Sequence, residues 1–131
     1  MKQRLLLAGG LSVFGGLFLF STGCYYDNSE DLYPQPPCDT TNVTYSNTIA
    51  PIISSNCYAC HSNSTSATSG SGISWEGYAN LDGYLDLFSG TLLGAIRHEN
   101  GFLPMPKDQP KLSDCDIRKI EIWISQGHPD N

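Results

Sequence analysis

Cys57-Tyr58-Ala59-Cys60-His61 constrains this chain more than any other stretch. Two thiols separated by two residues, with a histidine directly after the second, form the spacing at which a protein holds a haem covalently. Each thiol forms a thioether to one edge of the same porphyrin. The histidine that follows lies under the iron and supplies an axial nitrogen. Few chemistries need all three residues in that order. A tetrahedral zinc site drawing on Cys57, Cys60 and His98 is a rival use, but it leaves His61 idle.

The start of the chain indicates export. Lys2 and Arg4 precede an uncharged apolar run, Leu5 to Phe20, and Ser21-Thr22-Gly23-Cys24 follows. A basic start, a short apolar core and small residues make a secretory signal over residues 1–23. A short transmembrane anchor is the alternative, but the run falls below the roughly 18–20 residues needed to span a bilayer. The cleavage region resembles a bacterial lipoprotein box. Thr22 and Gly23 match its small positions, and Ser21 departs from it where leucine is usual. The resemblance implies that Cys24 becomes an acylated N-terminus, and two or more chains anchor stably where one is marginal. Tyr25 is not an aspartate, so nothing there argues for inner-membrane retention. The expected location is lipid-anchored, at the outer membrane facing the periplasm. Residues 24–37, acidic and proline-containing, read as a tether. The folded domain is expected over residues 38–131.

The five cysteines can then be assigned. Lipid takes Cys24, and haem takes Cys57 and Cys60. Cys38 and Cys115 remain, as a disulfide in an oxidising compartment or as two buried thiols. Beyond the signal, five basic residues face 13 acidic ones. That balance excludes nucleic acid as a partner. All five cations lie in the last third of the chain. Among them Arg97, Lys107 and Lys111 sit near the next informative stretch and are candidates to dock an acidic redox partner.

That stretch is Gly101-Phe102-Leu103-Pro104-Met105-Pro106. A methionine between two prolines is held extended and displays one soft thioether. Methionine is usually core filler. Here a haem needs a sixth ligand, and the chain beyond the signal has no other methionine. Met105 is therefore the expected distal ligand, with His98 and His128 as competitors. Trp75, Tyr78 and Tyr84 wall the haem, donate to its propionates, or are plain core.

Around these stretches the chain reads as helices. Ile49, Ile52 and Ile53 share one helical face that runs into Cys57, with Ser46 or Asn47 as cap and Pro51 in the first turn. Ser62 to Ser74 reads as a flexible surface loop with no chemistry of its own. Two short helices are expected at 78–85 and 91–98, broken by Gly90. Ser113 and Asp116 approximate a capping box for a last helix bearing Ile117, Ile120, Trp123 and Ile124, ended by Gly127.

Taken together, Cys57, Cys60 and His61 after a helix, Met105 in a proline-flanked loop, and a C-terminal helix with Trp123 resemble a class I c-type cytochrome. The lipoprotein-like start and the ending SDCDIRKIEIWISQG resemble small monohaem lipoprotein cytochromes of Bacteroidota-type bacteria. The long serine-rich loop and the two extra cysteines depart from the general pattern. The resemblance implies an all-α fold, with N- and C-terminal helices packed around one covalent haem c. It implies a one-electron carrier and not an enzyme, with Cys57 and Cys60 as thioethers and His61 and Met105 as axial ligands. A haem sensor with an open sixth site, or a fixed subunit of a larger redox complex, are the alternatives.

Overall fold

The structure is a computed structural model that describes residues 37–131. The expected signal segment, the Cys24 lipid site and all of the tether but Pro37 lie outside the described residues. Pro37–Asn131 forms one compact unit. Its elements are all helical, with no strand among the described residues. No helix among them is long and apolar enough to cross a membrane.

The first helix opens with a π-helical segment, Tyr45–Ile49, and continues as α1, Ala50–His61. The cap is Thr44, whose hydroxyl accepts from the Asn47 N–H at 3.3 Å, rather than Ser46 or Asn47. Pro51 has no N–H to give, so the opening turns are closed by wider bonds instead, such as Ala50 N–H to the Tyr45 carbonyl. The buried stripe is Ile49, Ile53, Cys57 and His61, while Ile52 is only half-buried. Every fourth residue recurs on one helical face. The face that seals the core therefore ends, two turns later, in a thiol and an imidazole.

The expected flexible loop is instead a folded cover. It contains a single helical turn, α2, Ser66–Ser69. The Ser62 and Thr65 hydroxyls lie 2.7 Å apart, and Thr65 Oγ1 donates back to the Tyr58 carbonyl at 3.3 Å. Gly72 N–H donates to Ser66 O, and Trp75 N–H to His61 O, both at 2.8 Å. Serine and threonine carry their own donors and acceptors, so a stretch without apolar side chains still orders itself through local bonds.

The two expected short helices are both present, joined across a kink into one element, α3, Tyr78–Ile96. Its break lies at Phe88, at φ −135° and ψ 25°, and not at Gly90. Leu81, Leu85, Leu92 and Ile96 are all essentially buried. Leu81 and Leu85 before the kink and Leu92 and Ile96 after it thus all reach the core. His98, expected inside a helix, stands beyond the Arg97 cap at φ +56°.

The last helix, α4, Asp114–Ser125, follows its expected cap. Ser113 Oγ accepts from the Asp116 N–H at 3.0 Å and donates to the Asp116 carboxylate at 2.8 Å. Ile117, Ile120 and Trp123 are buried, and Ile124 is half-buried. α4 packs against α3 and against the Tyr45–Ile49 segment. Trp123 meets Tyr45 at 5.8 Å between ring centroids. Beyond Gly127, Trp123 Nε1 donates to the Pro129 carbonyl at 2.9 Å, and Asn131 accepts from the backbone N–H groups of Tyr45 and Ser46. A Cys38–Cys115 disulfide ties the start of the domain to the first turn of α4.

Candidate functional site

Cys57, Cys60 and His61 lie on the last turn and a half of α1. Their side chains open onto a cleft of about 220 Å³ that also meets Trp75, Ile96 and Met105. A second cavity of about 210 Å³, lined by Tyr84, Leu92 and Leu103, shares His61, Trp75 and Met105 with the first. The two cavities thus adjoin at one imidazole and one thioether. The lining is mostly apolar, and Lys107 is its one cation apart from what His61 can carry.

His61 is buried, at 8 % exposure, and its Nδ1 lies 3.0 Å from the Ile73 carbonyl. A carbonyl can only accept, so Nδ1 carries the proton. Nε2 is left with its lone pair, as an axial ligand requires. The ring also stacks on Trp75, with centroids 4.3 Å apart and planes 16° apart. Its orientation is held by a bond at one edge and by a flat neighbour. The loop expected to carry no chemistry thus supplies the atom that sets the His61 tautomer.

Gly70 shows why that loop sits so close. A Cβ there would stand 2.5 Å from the Cys60 carbonyl and 3.0 Å from the Ile73 carbonyl. Only glycine lets the loop close over the end of α1.

Both site cysteines are free thiols. Burial pushes the Cys57 thiol up to about 12. Because the thiolate is the nucleophile, the haem-free folded domain should alkylate at half-buried Cys60 before Cys57 at about pH 8. Peptide mass spectrometry after brief iodoacetamide treatment checks this, and equal labelling counts against it. The same shift sets a pH trend. Between about 9 and about 12 the folded state keeps a proton that the unfolded chain has lost, so stability falls as pH rises through that window. Conversion of Cys57 to a thioether abolishes the trend.

Met105 stands half-buried where the two cavities adjoin, with its backbone bonded to α3: its N–H donates to the Ala95 carbonyl at 3.0 Å. The competing ligands are elsewhere. His128 Nδ1 lies 2.7 Å from Asp82 on α3. His98 Nε2 lies 3.1 Å from the Met105 carbonyl. Neither lines the cleft. The zinc alternative loses its third ligand in the same way. Among the described residues, the one grouping of three possible metal ligands is Asp82, Asp86 and His128, away from both thiols.

Of the three aromatics, Trp75 and Tyr84 wall the cavities and Tyr78 does not. The Tyr78 hydroxyl instead lies between Asp82, at 3.0 Å, and the His128 carbonyl, at 3.1 Å. Trp75 is buried, and its indole N–H has no partner among the described residues. An unsatisfied buried donor costs roughly 1–3 kcal/mol, so this N–H suits a ligand that carries an acceptor. Two free thiols at haem spacing, an imidazole with a bare Nε2, a thioether on the same cleft and an orphan donor at its wall all fit a haem.

The cations divide. Arg97 donates twice to Glu121, at 2.9 and 2.6 Å, and once to Glu99, at 3.0 Å. The Arg97 guanidinium holds the Glu121 carboxyl below its usual range. Lys111 pairs with Asp114 at 2.7 Å. Lys107 alone of the three lines the cleft.

Sequence reasoning missed the Ile73 carbonyl, the notch at Gly70 and the position of His98. The first two leave a faint trace in the sequence, as a glycine inside an otherwise hydroxyl-rich loop. Comparison with protein-family models, curated proteins and solved structures finds no match to the chain, so what the site does is argued from its own residues.

Proposed function

We propose that the domain is a monohaem c-type cytochrome of the class I kind, serving as a one-electron carrier in the cell envelope. The observation that carries this reading is that His61, with its Nδ1 proton committed to Ile73, shares one cleft with Met105 beside the thiols of Cys57 and Cys60. Cys57 and Cys60 would hold the haem through thioethers. His61 and Met105 would be the axial ligands. When bound, the haem supplies an iron that alternates between ferric and ferrous states.

The chain's own residues do the rest. The Ile73 carbonyl holds the His61 proton away from the ligand side and raises the basicity of Nε2. The Met105 thioether favours the ferrous state and raises the potential. The apolar lining acts in the same direction, because it disfavours the extra positive charge of ferric iron. Filling both axial positions from the protein leaves no site for a substrate, and retaining the same ligands in both states keeps rearrangement small. Partners would be envelope redox proteins approaching at the rim that bears Lys107. Lipid on Cys24 would keep the domain at a membrane, an outer one by the reading of the signal alone.

The optical spectrum of the purified protein tests this. A sulfur-to-iron charge-transfer band in the oxidised form is expected, with no shift when carbon monoxide meets the reduced form. Met105→Ala should abolish the band and open the reduced iron to carbon monoxide. A wild-type spectrum that is high-spin and binds carbon monoxide readily would favour the sensor instead.

A further inference from the structure

His98 poses a question that the haem reading leaves open. It follows the cap of α3 at φ +56°, a backbone conformation where glycine or asparagine is usual. A histidine stands there, part-buried, with Nε2 3.1 Å from the carbonyl oxygen of Met105. The same segment is anchored twice more to α3. Met105 N–H donates to the Ala95 carbonyl at 3.0 Å. The Phe102 ring fills a notch over Gly94 so closely that a Cβ there would lie 2.5 Å from it.

We propose that His98 is a positioning residue, which clamps the Met105 backbone through its carbonyl and thereby holds the thioether at the cleft. The inference rests on the haem reading above. The carbonyl accepts, so His98 must carry its proton on Nε2. A protonated imidazole donates from the same atom, so the clamp does not depend on whether the ring is charged. With N–H fixed to α3 and C=O to the residue just past its cap, the Met105 side chain has only its own rotamers to explore. The sequence made His98 a competitor for the iron. Its placement makes it the support of the ligand it would have replaced.

The test uses the full-length haem-loaded protein, with His98→Gly and His98→Gln. Glycine suits the left-handed backbone and removes the donor. Glutamine returns an N–H at comparable reach. Imidazole is titrated into the ferric form, and loss of the sulfur-to-iron band reports displacement of Met105. His98→Gly is expected to bind imidazole about five- to tenfold more tightly than wild type, the range set by losing one hydrogen bond. His98→Gln should return to within about twofold of wild type if the donor is what matters. Equal imidazole affinity in wild type and His98→Gly, or equally tighter imidazole binding in both variants, overturns the clamp while leaving the haem reading intact. A wild type with no sulfur band overturns the haem reading itself. Long-range proton–nitrogen NMR on the wild type needs no variant to fold. It should find His98 protonated at Nε2, and a bare Nε2 overturns the clamp.

Discussion

Gly70→Ala is expected to destabilise the domain by ~2–3 kcal/mol, the usual cost of forcing a group into a packed site. The added Cβ would meet backbone atoms, not the movable end of a side chain. It would lie 2.5 Å from the Cys60 carbonyl, 3.0 Å from Ser66 Cα and 3.0 Å from the Ile73 carbonyl. Gly70 itself has an ordinary backbone, φ −100°, so the cost comes from contact and not from dihedral strain. Relief requires the loop to lift from α1, and lifting it draws the Ile73 carbonyl away from His61. Two readouts should therefore move together. The urea midpoint falls, and the His61 Nδ1 proton exchanges faster with solvent. Gly90→Ala is the contrasting change. A Cβ at Gly90 meets nothing within 4 Å, so alanine there should be neutral or stabilising by about 0.5–1 kcal/mol. If Gly70→Ala unfolds at the wild-type midpoint, the loop does not close over the motif as described.

Loss of the Cys38–Cys115 disulfide is expected to have the larger effect. The bridge joins residues 77 apart, and the chain-entropy treatment credits a loop of that length with about 4 kcal/mol. Small domains hold only about 5–15 kcal/mol in total. The expected fall in melting temperature is therefore roughly 20 °C. Replacing both cysteines by serine, or adding dithiothreitol, tests it. Haem thioethers at Cys57 and Cys60, as proposed, would resist a thiol reductant, so on a haem-loaded protein the reagent would report on this bridge alone. Melting temperatures that coincide with and without reductant would show that the bridge contributes little. The location explains why it should matter. Among the described residues, Cys38 leads the chain into its first helix and Cys115 lies in the first turn of α4. The far ends of those segments are already joined through Asn131 and the backbone of Tyr45 and Ser46. The disulfide closes the other side.

Some features were legible because they are written in local residue chemistry. The last helix starts where Ser113 and Asp116 indicated, since a cap needs only a side chain three residues from an N–H. The isoleucine stripe into Cys57 was legible from its period, although the buried members follow spacing of four and leave Ile52 at the edge. The pairing of Cys38 with Cys115 followed from counting thiols. Local punctuation read without packing was less exact. Gly90 signalled a break, and the helix does kink, but at Phe88, two residues earlier. The serine-rich stretch signalled mobility, but its hydroxyls bond to each other and to the end of α1.

The sequence by itself singled out the candidate set: Cys57, Cys60 and His61 at their spacing, and Met105 between two prolines. Residue identity and short spacing carry that information. Only the tertiary structure decided which nitrogen of His61 is free, which histidine lies away from the cleft, and what holds Met105 to α3. Those outcomes depend on the carbonyls of Ile73, Met105 and Ala95. A carbonyl is the same in every residue, so no residue type marks which one will accept. Its role appears only when the fold brings it to a particular side chain.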